Sequence, residues 1–520
     1  MNNGNEPMAM SRVEAGTGTR PRAKAPRLVL LQGLLGSVMV LLGSYGIGWL
    51  ASVSPLNRNA LLIDVRTEQW GVITSTVVLT LGCWIMFRAW LRLGQELAGW
   101  AAGSLRIVRQ ACWLWGAPLL LSLPIFSRDV FAYIGQGRLV SAGQDPYVNG
   151  ISTLSNWFQL GADVTWAESE TPYGPLFLTL ERFVTLVART SPDASVVLFR
   201  LVAYAGVAIC MVYVPKLAAL HGVSGAKALW ITVSNPLFLI SFIASAHNDA
   251  LMVGLAVAGT YYAATRRGIL GVVLVTASIG IKPITMVILP FIGLLWAGPG
   301  SSWARRFLFW AYTLGLCLGI MAVIGWANGY GFGWLKVMLG TGTGTVFFAP
   351  VGLFTNFFSG AFASLGLDAG WVLGVVKAVA RVASVAVVLF LMFRGRHSHL
   401  VQRLALAFAA LVVLSPIIQP WYLLWLLPFF AATGIRDDWQ IIWVYFTIAF
   451  FIAFGAADQI FIWQFLDALD PWVKHLSTGI SWTAMAYLAF LDPRTRRIFM
   501  DFWGSIRTAA GTLRRRKEAS

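Results

Sequence analysis

Asp129 stands where an apolar run ends. Residues 111–126 read as a membrane span, and the stretch 127–137, Ser-Arg-Asp-Val-Phe-Ala-Tyr-Ile-Gly-Gln-Gly, reads as a short helix at the membrane surface. On a helix starting at Asp129, Tyr133 and Gln136 lie one and two turns along the same face. Gly143 fits the C-terminal cap of that helix, and Asp145-Pro146-Tyr147 makes a turn. A carboxylate presented beside hydrogen-bonding side chains suits a general base acting on a sugar hydroxyl. The position suits a helix N-cap by Ser127 or Asp129 equally well, and the residue types alone leave both roles open.

Three more polar groups interrupt apolar runs. Lys282 follows Ile279-Gly280-Ile281 and precedes the helix-breaking Pro283, a place to meet a phosphate or to snorkel toward the headgroups. His247 heads the triplet His247-Asn248-Asp249. As a cation or donor it would assist a departing phosphate; otherwise it is a satisfied polar residue between helices. Asn248 and Asp249 would bind sugar hydroxyls or position His247. Gln419-Pro420-Trp421-Tyr422 offers an aromatic wall for a sugar ring or a polyprenyl chain, or simply interfacial aromatics. Tyr173-Gly174-Pro175 closes the long loop 127–175 and would shape the floor of a pocket.

Other patterns carry less. Glu168 and Glu170 read as an exposed loop face, and Asp437-Asp438 sits beside Arg436 on the basic, cytoplasmic side. The Gly-Thr repeat 340–345 lacks the lysine of a phosphate-binding loop and reads as a flexible outer loop. Cys83, Cys112, Cys210 and Cys317 all fall in apolar segments without metal-ligand spacing, so neither zinc nor disulfides are expected. No metal or other cofactor is implied.

The elements that must position these groups are membrane helices. Of 520 residues, 58% are hydrophobic and 12% charged, with mean hydropathy +0.70. Soluble domains carry about 25% charged residues, which excludes a large soluble domain. Spans are expected near 28–50, 71–88, 108–126, 195–214, 228–244, 250–265, 268–281, 284–297, 307–326, 371–393, 403–418, 421–434, 439–457 and 476–491. The net charge of +17 comes mostly from basic clusters flanking these runs, so it reports orientation and anionic lipid rather than nucleic acid. Arg20/Arg22/Lys24/Arg27, Arg88/Arg92, Lys216/Lys227, Arg266/Arg267, Arg305/Arg306, Arg394/Arg396/Arg403 and Arg494/Arg496/Arg497 mark the cytoplasmic side and leave both termini inside. That threading requires 176–190 to be re-entrant or interfacial, or half of a broken pair with 195–214, and it gathers the four polar groups on the outer face. A disordered cytoplasmic segment 1–27, a membrane domain 28–495 with outer loops 127–175 and 327–370, and a basic cytoplasmic tail 496–520 complete the expected organisation.

The ordered set Ser-Arg-Asp-Val-Phe-Ala-Tyr-x-x-Gln-Gly (127–137), Gly-x-Asp-Pro-Tyr (143–147), Thr-Pro-Tyr-Gly-Pro (171–175), His-Asn-Asp (247–249) and Lys282 resembles a known family. It is similar to the polyprenyl-phosphomannose-dependent α-(1→6)-mannopyranosyltransferases of actinobacteria. The resemblance implies an all-α GT-C-type bundle of about 14 transmembrane helices, with a long extracytoplasmic loop carrying interfacial helices. It implies an inverting transfer of mannose from polyprenyl-phosphate-mannose to the α-(1→6)-mannan of lipomannan and lipoarabinomannan, outside the plasma membrane. The acceptor would be a mannosylated phosphatidylinositol-type or related glycolipid. Asp129 matches the family's loop carboxylate base, and Lys282 with His247 would offset charge on the departing phosphate. Arg128, Tyr133, Gln136, Tyr173, Asn248, Asp249, Gln419, Trp421 and Tyr422 are the candidate sugar- and acceptor-binding residues. The main competing reading is a transporter or flippase of a lipid-linked sugar, which would place its polar site at the bilayer midplane on repeated, broken helices. A non-catalytic partner of an envelope polymerase is a third.

Overall fold

Apolar helix length decides what this chain can be. In a computed structural model, residues 26–340, 349–460, 470 and 472–500 are described, and these form helices and connecting loops with no strand among them. The expected N-terminal segment 1–27, the Gly-Thr repeat 340–345 and the basic tail 496–520 lie largely outside the described residues. Among the described residues, six helices are long and apolar enough to cross a bilayer: Arg27–Ile47, Gln69–Glu96, Pro192–Leu220, Trp303–Ala327, Val372–Phe393 and Trp439–Asp458. A seventh crossing results if Gly225–Thr232 and Pro236–Ala244, bent by 59° at their junction, count as one. The protein is all-α and spans the membrane several times.

The count differs from the expected 14 because polar breaks shorten many apolar runs. Asp249–Ala264, Gly268–Ile281, Pro283–Ala297, His397–Val413 and Tyr422–Thr433 are helical where spans were expected, but all are short. A helix of 16 residues, such as Asp249–Ala264, rises only about 24 Å, against a hydrocarbon core of about 30 Å. The breaks are the polar motifs themselves: His247-Asn248 precedes one of these helices, Lys282-Pro283 separates two, and Gln419-Pro420 precedes another. The segment 176–190 forms the helix Pro175–Ala188, whose 14 residues rise about 21 Å, also short of a crossing.

The break between Thr232 and Pro236 is chemically sealed. At the 59° bend, Pro236 opens the second half-helix, and the Asn235 side chain accepts the Phe238 amide at 2.8 Å. The same side chain donates back to the carbonyls of Ile231 and Thr232 at 2.9 and 2.5 Å. With lipid unable to hydrogen-bond, such internal satisfaction is what permits a broken helix in a membrane.

Close helix contacts hold the assembly. Gly206 on the Pro192–Leu220 helix faces Asp249–Ala264 so closely that an added Cβ would lie 2.3 Å from the Ala250 carbonyl carbon. Gly254 returns the approach, its virtual Cβ 2.7 Å from the Gly206 oxygen. Small residues permit this contact, the usual basis of helix association in lipid. At the other end of the chain, the buried carboxylate of Asp492 accepts two bonds from the Arg88 guanidinium at 2.9 and 3.0 Å. This forked pair fastens the C-terminal region to the Gln69–Glu96 helix.

Candidate active site

The helix Asp129–Ser141 starts at the residue the motif predicts, and Gly143 follows its end at φ +75°. Its N-terminus is fixed by Ser127, whose hydroxyl accepts the Asp129 amide at 3.1 Å. The N-cap position itself is Arg128 and carries no side-chain cap, so neither Ser127 nor Asp129 caps the helix. The Asp129 carboxylate instead reaches within 3.7 Å of His247 Nδ1 and keeps 22% of its side chain exposed. Past the helix, Asp145 accepts the Tyr147 amide at 2.9 Å, the turn expected of Asp-Pro-Tyr.

His247 is the hub of the cluster. It is fully buried, and its Nδ1 lies 3.4 Å from Asp249 Oδ2 and 3.4 Å from the Tyr133 hydroxyl. The same hydroxyl donates to Asn248 Oδ1 at 3.3 Å. Burial, then the Asp129 and Asp249 charges, hold the Tyr133 phenol well above its ordinary range, so it acts as a neutral donor. The His247 ring leans over Trp421 with centroids 4.2 Å apart.

Lys282 completes the group. As the residue before Pro283 it is extended (φ −144°, ψ 111°), which breaks the helix and turns its side chain aside. Its Nζ pairs with Asp249 Oδ1 at 2.8 Å, and the rings of Trp425, Tyr422 and Tyr173 lie 4.8, 5.6 and 5.7 Å away. Tyr422 itself stacks on Trp425 at 3.9 Å. The 171–175 loop is docked beside Lys282 by a bond from the Gly174 amide to the Ile281 carbonyl at 3.0 Å. Tyr173 meets Tyr133 edge-to-face at 5.3 Å. Its carbonyl accepts from the Tyr147 hydroxyl at 3.0 Å.

Asp129, Tyr133, His247, Asn248, Asp249, Lys282, Tyr173, Trp421 and Tyr422 thus form one connected cluster, drawn from distant parts of the chain. Three of the expected residues stand apart from it. Arg128 turns to the 127–175 loop, pairing with Asp163 at 2.8 Å, donating to the Ala162 carbonyl at 3.1 Å and lying over Trp49 at 4.5 Å. Gln136 accepts from the Thr171 hydroxyl at 3.1 Å and so braces the loop. Gln419 accepts from Gln459 at 3.4 Å, one step removed through the chain corner at Phe126. The sequence reading missed Asp163, whose partner is a loop residue far away in sequence. It also missed Trp425, one helical turn beyond Trp421 in a run already rich in aromatics.

Several polar atoms here are buried without a partner: His247 Nε2, Asn248 Nδ2, Trp421 Nε1 and Trp425 Nε1. Buried polar atoms in native proteins are nearly always satisfied, so a group of orphans around one lysine suggests a polar ligand. A separate cleft of about 670 Å³, lined by residues including Trp100, Leu105, Pro215 and Ala226, is mainly apolar. It lies at the other end of the Pro192–Leu220 helix and shares none of this chemistry.

Comparison with known proteins adds a family. The α-(1→6)-mannopyranosyltransferase N-terminal domain matches residues 30–298, and the MptB C-terminal domain matches residues 348–471. The chain is 31% identical over 466 residues to a probable α-(1→6)-mannopyranosyltransferase of Mycolicibacterium smegmatis, covering 80% of each protein. It is 33% identical over 329 residues to α-(1→6)-mannopyranosyltransferase A of Mycobacterium tuberculosis, covering 62% of this chain and 63% of that one. With α-(1→6)-mannopyranosyltransferase B of Corynebacterium glutamicum it shares 26% identity over 473 residues, 81% of this chain and 75% of the other. No solved structure matches. Asp129, His247, Asp249 and Lys282 lie within the N-terminal match, and Gln419, Trp421 and Tyr422 within the C-terminal one.

Proposed function

This chain belongs to the α-(1→6)-mannopyranosyltransferase family and is a membrane glycosyltransferase, and we propose that it transfers mannose with inversion from polyprenyl-phosphate-mannose to an α-(1→6)-mannan lipid, with Asp129 as general base. One observation carries the choice of base. Of the two carboxylates beside His247, Asp249 is fully buried and committed to Lys282, whereas the Asp129 side chain is 22% exposed. An acceptor hydroxyl can meet only the exposed one.

In the proposed reaction, the acceptor 6-hydroxyl oxygen bonds to mannose C1 as the C1–O bond to phosphate breaks. Asp129 takes the hydroxyl proton, and the bonding electrons leave with the polyprenyl phosphate. Lys282, held by Asp249, offsets the new phosphate charge with its remaining N–H donors. His247 sits with Nδ1 toward the two carboxylates, and its orphan Nε2 is the atom left for a phosphate oxygen. The donor's β-linkage and the product's α-linkage require a single displacement without a covalent enzyme intermediate. Tyr173, Trp421 and Tyr422 would line the sugar and prenyl path, with Asn248 on the sugar hydroxyls.

The same proposal includes the finer topology. About 14 membrane segments, several of them broken at the site, would place the cluster on the outer face, with the basic clusters and both termini inside. The positions of Lys216, Arg267, Arg305 and Arg394 at or near helix ends support it. A mannosylated phosphatidylinositol-type glycolipid is the proposed acceptor.

The test is transfer by purified protein from synthetic polyprenyl-phosphate-mannose to an α-(1→6)-dimannoside, with product linkage read by NMR. An α-(1→6)-trimannoside is expected. A β-linked product would overturn inversion. No transfer, with intact lipid moved across proteoliposomes, would replace the enzyme by a flippase.

A further inference from the structure

The site rests on two chain corners, and a single buried cation joins the helices that lead into both. Arg200 lies on the Pro192–Leu220 helix and is 2% exposed. Its Nη1 donates to the Leu120 carbonyl at 2.9 Å, at the end of the helix Ser104–Leu119. Its Nε and Nη2 donate to the carbonyls of Ile243 and Ala244 at 3.0 and 2.8 Å, at the end of Pro236–Ala244. Helix C-termini leave carbonyls unsatisfied and favour a cation, and here one guanidinium serves two ends at once. A charge buried in an apolar run is costly and calls for a role.

Each of these helix ends leads directly into the reacting groups. The first segment runs through Phe126 to Asp129, and the second through Ala246 to His247. Both corners hold a non-glycine residue in the left-handed region, Phe126 at φ +63° and Ala246 at φ +57°. Such conformations persist only where the surroundings over-determine them. The Ser245 hydroxyl ties the corners together by donating to the Ile125 carbonyl, and the Phe126 amide anchors the first corner to the Gln459 carbonyl, at the end of the Trp439–Asp458 helix, at 3.0 Å. Phe199, the neighbour of Arg200, packs on Tyr133 with centroids 5.5 Å apart.

We infer that Arg200 is a positioning residue for transfer: by clamping the ends of both helices it holds the Asp129 carboxylate and the His247 ring in register. The inference rests on Asp129 as the base, and it concerns a residue that touches no substrate. Arg200 acts on the spacing of the reacting groups rather than on donor affinity. Its loss therefore lowers kcat more than it raises either KM.

The experiment compares wild type, Arg200→Met, Arg200→Lys and Asp129→Asn in detergent, following kcat, both KM values and the pH dependence of kcat. Arg200→Met is expected to elute as a single species, with kcat down roughly 100-fold, the loss that ~1 Å misplacement produces. Its KM values should stay within about threefold, a change worth under 1 kcal/mol, and the acid limb of its pH–kcat profile should differ from that of wild type. Arg200→Lys, which still offers a cation to the carbonyls, should recover part of kcat. Unchanged kcat, or a loss confined to KM with the pH limb unmoved, overturns the inference. If Arg200→Met does not fold, Arg200→Lys decides by the same criteria. Failure of both to fold would make Arg200 a stability element and also overturn it. Transfer by Asp129→Asn at the wild-type rate would instead overturn the function on which the inference stands.

Discussion

Replacing Lys282 by Met separates two roles that the structure gives to one ammonium. The methionine keeps an unbranched stem against Trp425 and Tyr422 but removes the charge paired with Asp249 at 2.8 Å. Asp249 has no exposed surface, so its carboxylate is left with His247 at 3.4 Å as its remaining close partner. Deleting one member of a buried pair costs about 3–5 kcal/mol. The surviving histidine argues for the lower end, about 3 kcal/mol of stability. Donor affinity should fall separately, because a charge-assisted bond to phosphate contributes about 1.5–3 kcal/mol. That loss corresponds to roughly 10–150-fold in Kd. The double variant Lys282→Met/Asp249→Asn distinguishes the two effects, since it leaves no buried charge behind. Thermal unfolding in detergent should show the single variant destabilised and the double variant largely restored. Titration with a non-transferable polyprenyl-phosphate-mannose analogue should show both binding weakly. A double variant as unstable as the single one would refute the pair as the source of the cost. Wild-type donor affinity in either would refute the phosphate role of Lys282.

Three further outcomes rest on named contacts. Tyr133→Phe keeps the ring packing on Tyr173 and Phe177 but loses the hydroxyl beside Asn248 and His247. It should cost about 1 kcal/mol of stability and slow transfer several-fold, read by calorimetric unfolding and initial rates; unchanged values of both would mean that the hydroxyl is idle. Gly206→Val would drive a side chain into the Ala250 backbone, where even a Cβ would lie 2.3 Å away. A loss of about 1–3 kcal/mol or more is expected from such overpacking, visible as poor folded yield, whereas normal yield would contradict the close helix contact. Burial by itself would raise the Asp492 carboxyl, but the bonds from Arg88 and Thr495 outweigh it and hold it below its ordinary range. Its contribution is therefore complete above the ordinary carboxylate value of about 3.9 and is lost as pH falls below that. Wild type should lose stability across that window more steeply than Asp492→Asn, and equal slopes would exclude this pair as the cause.

The parts of the site set by local chemistry were legible in the residues. Ser127 before Asp129, Gly143, and Asp-Pro-Tyr at 145–147 define a helix and its turn through short side-chain-to-backbone bonds and backbone preference, which act within a few positions. Lys282 before Pro283 had to be extended, because proline restricts its predecessor. The meeting of Asp129, His247 and Lys282 followed from the positions of polar residues at span ends. Helix lengths did not follow, because an apolar window counts residues and is blind to capped breaks such as Asn235-Pro236. Long-range pairing was equally hidden. Nothing local says that Arg128 turns away from the cluster to Asp163, or that Asp249 serves both Lys282 and His247. Arg200 carried a signal that went unread: a charge in the middle of an apolar run.

The central claim is that Asp129 removes the acceptor proton, and the most direct measurement is transfer by Asp129→Asn beside wild type, with donor binding followed in the same preparations. Asparagine preserves the shape beside His247 but cannot accept the proton. Loss of transfer by at least about a hundredfold, the scale of general-base catalysis, with donor Kd unchanged is the predicted result. Transfer at a rate close to wild type would contradict the account.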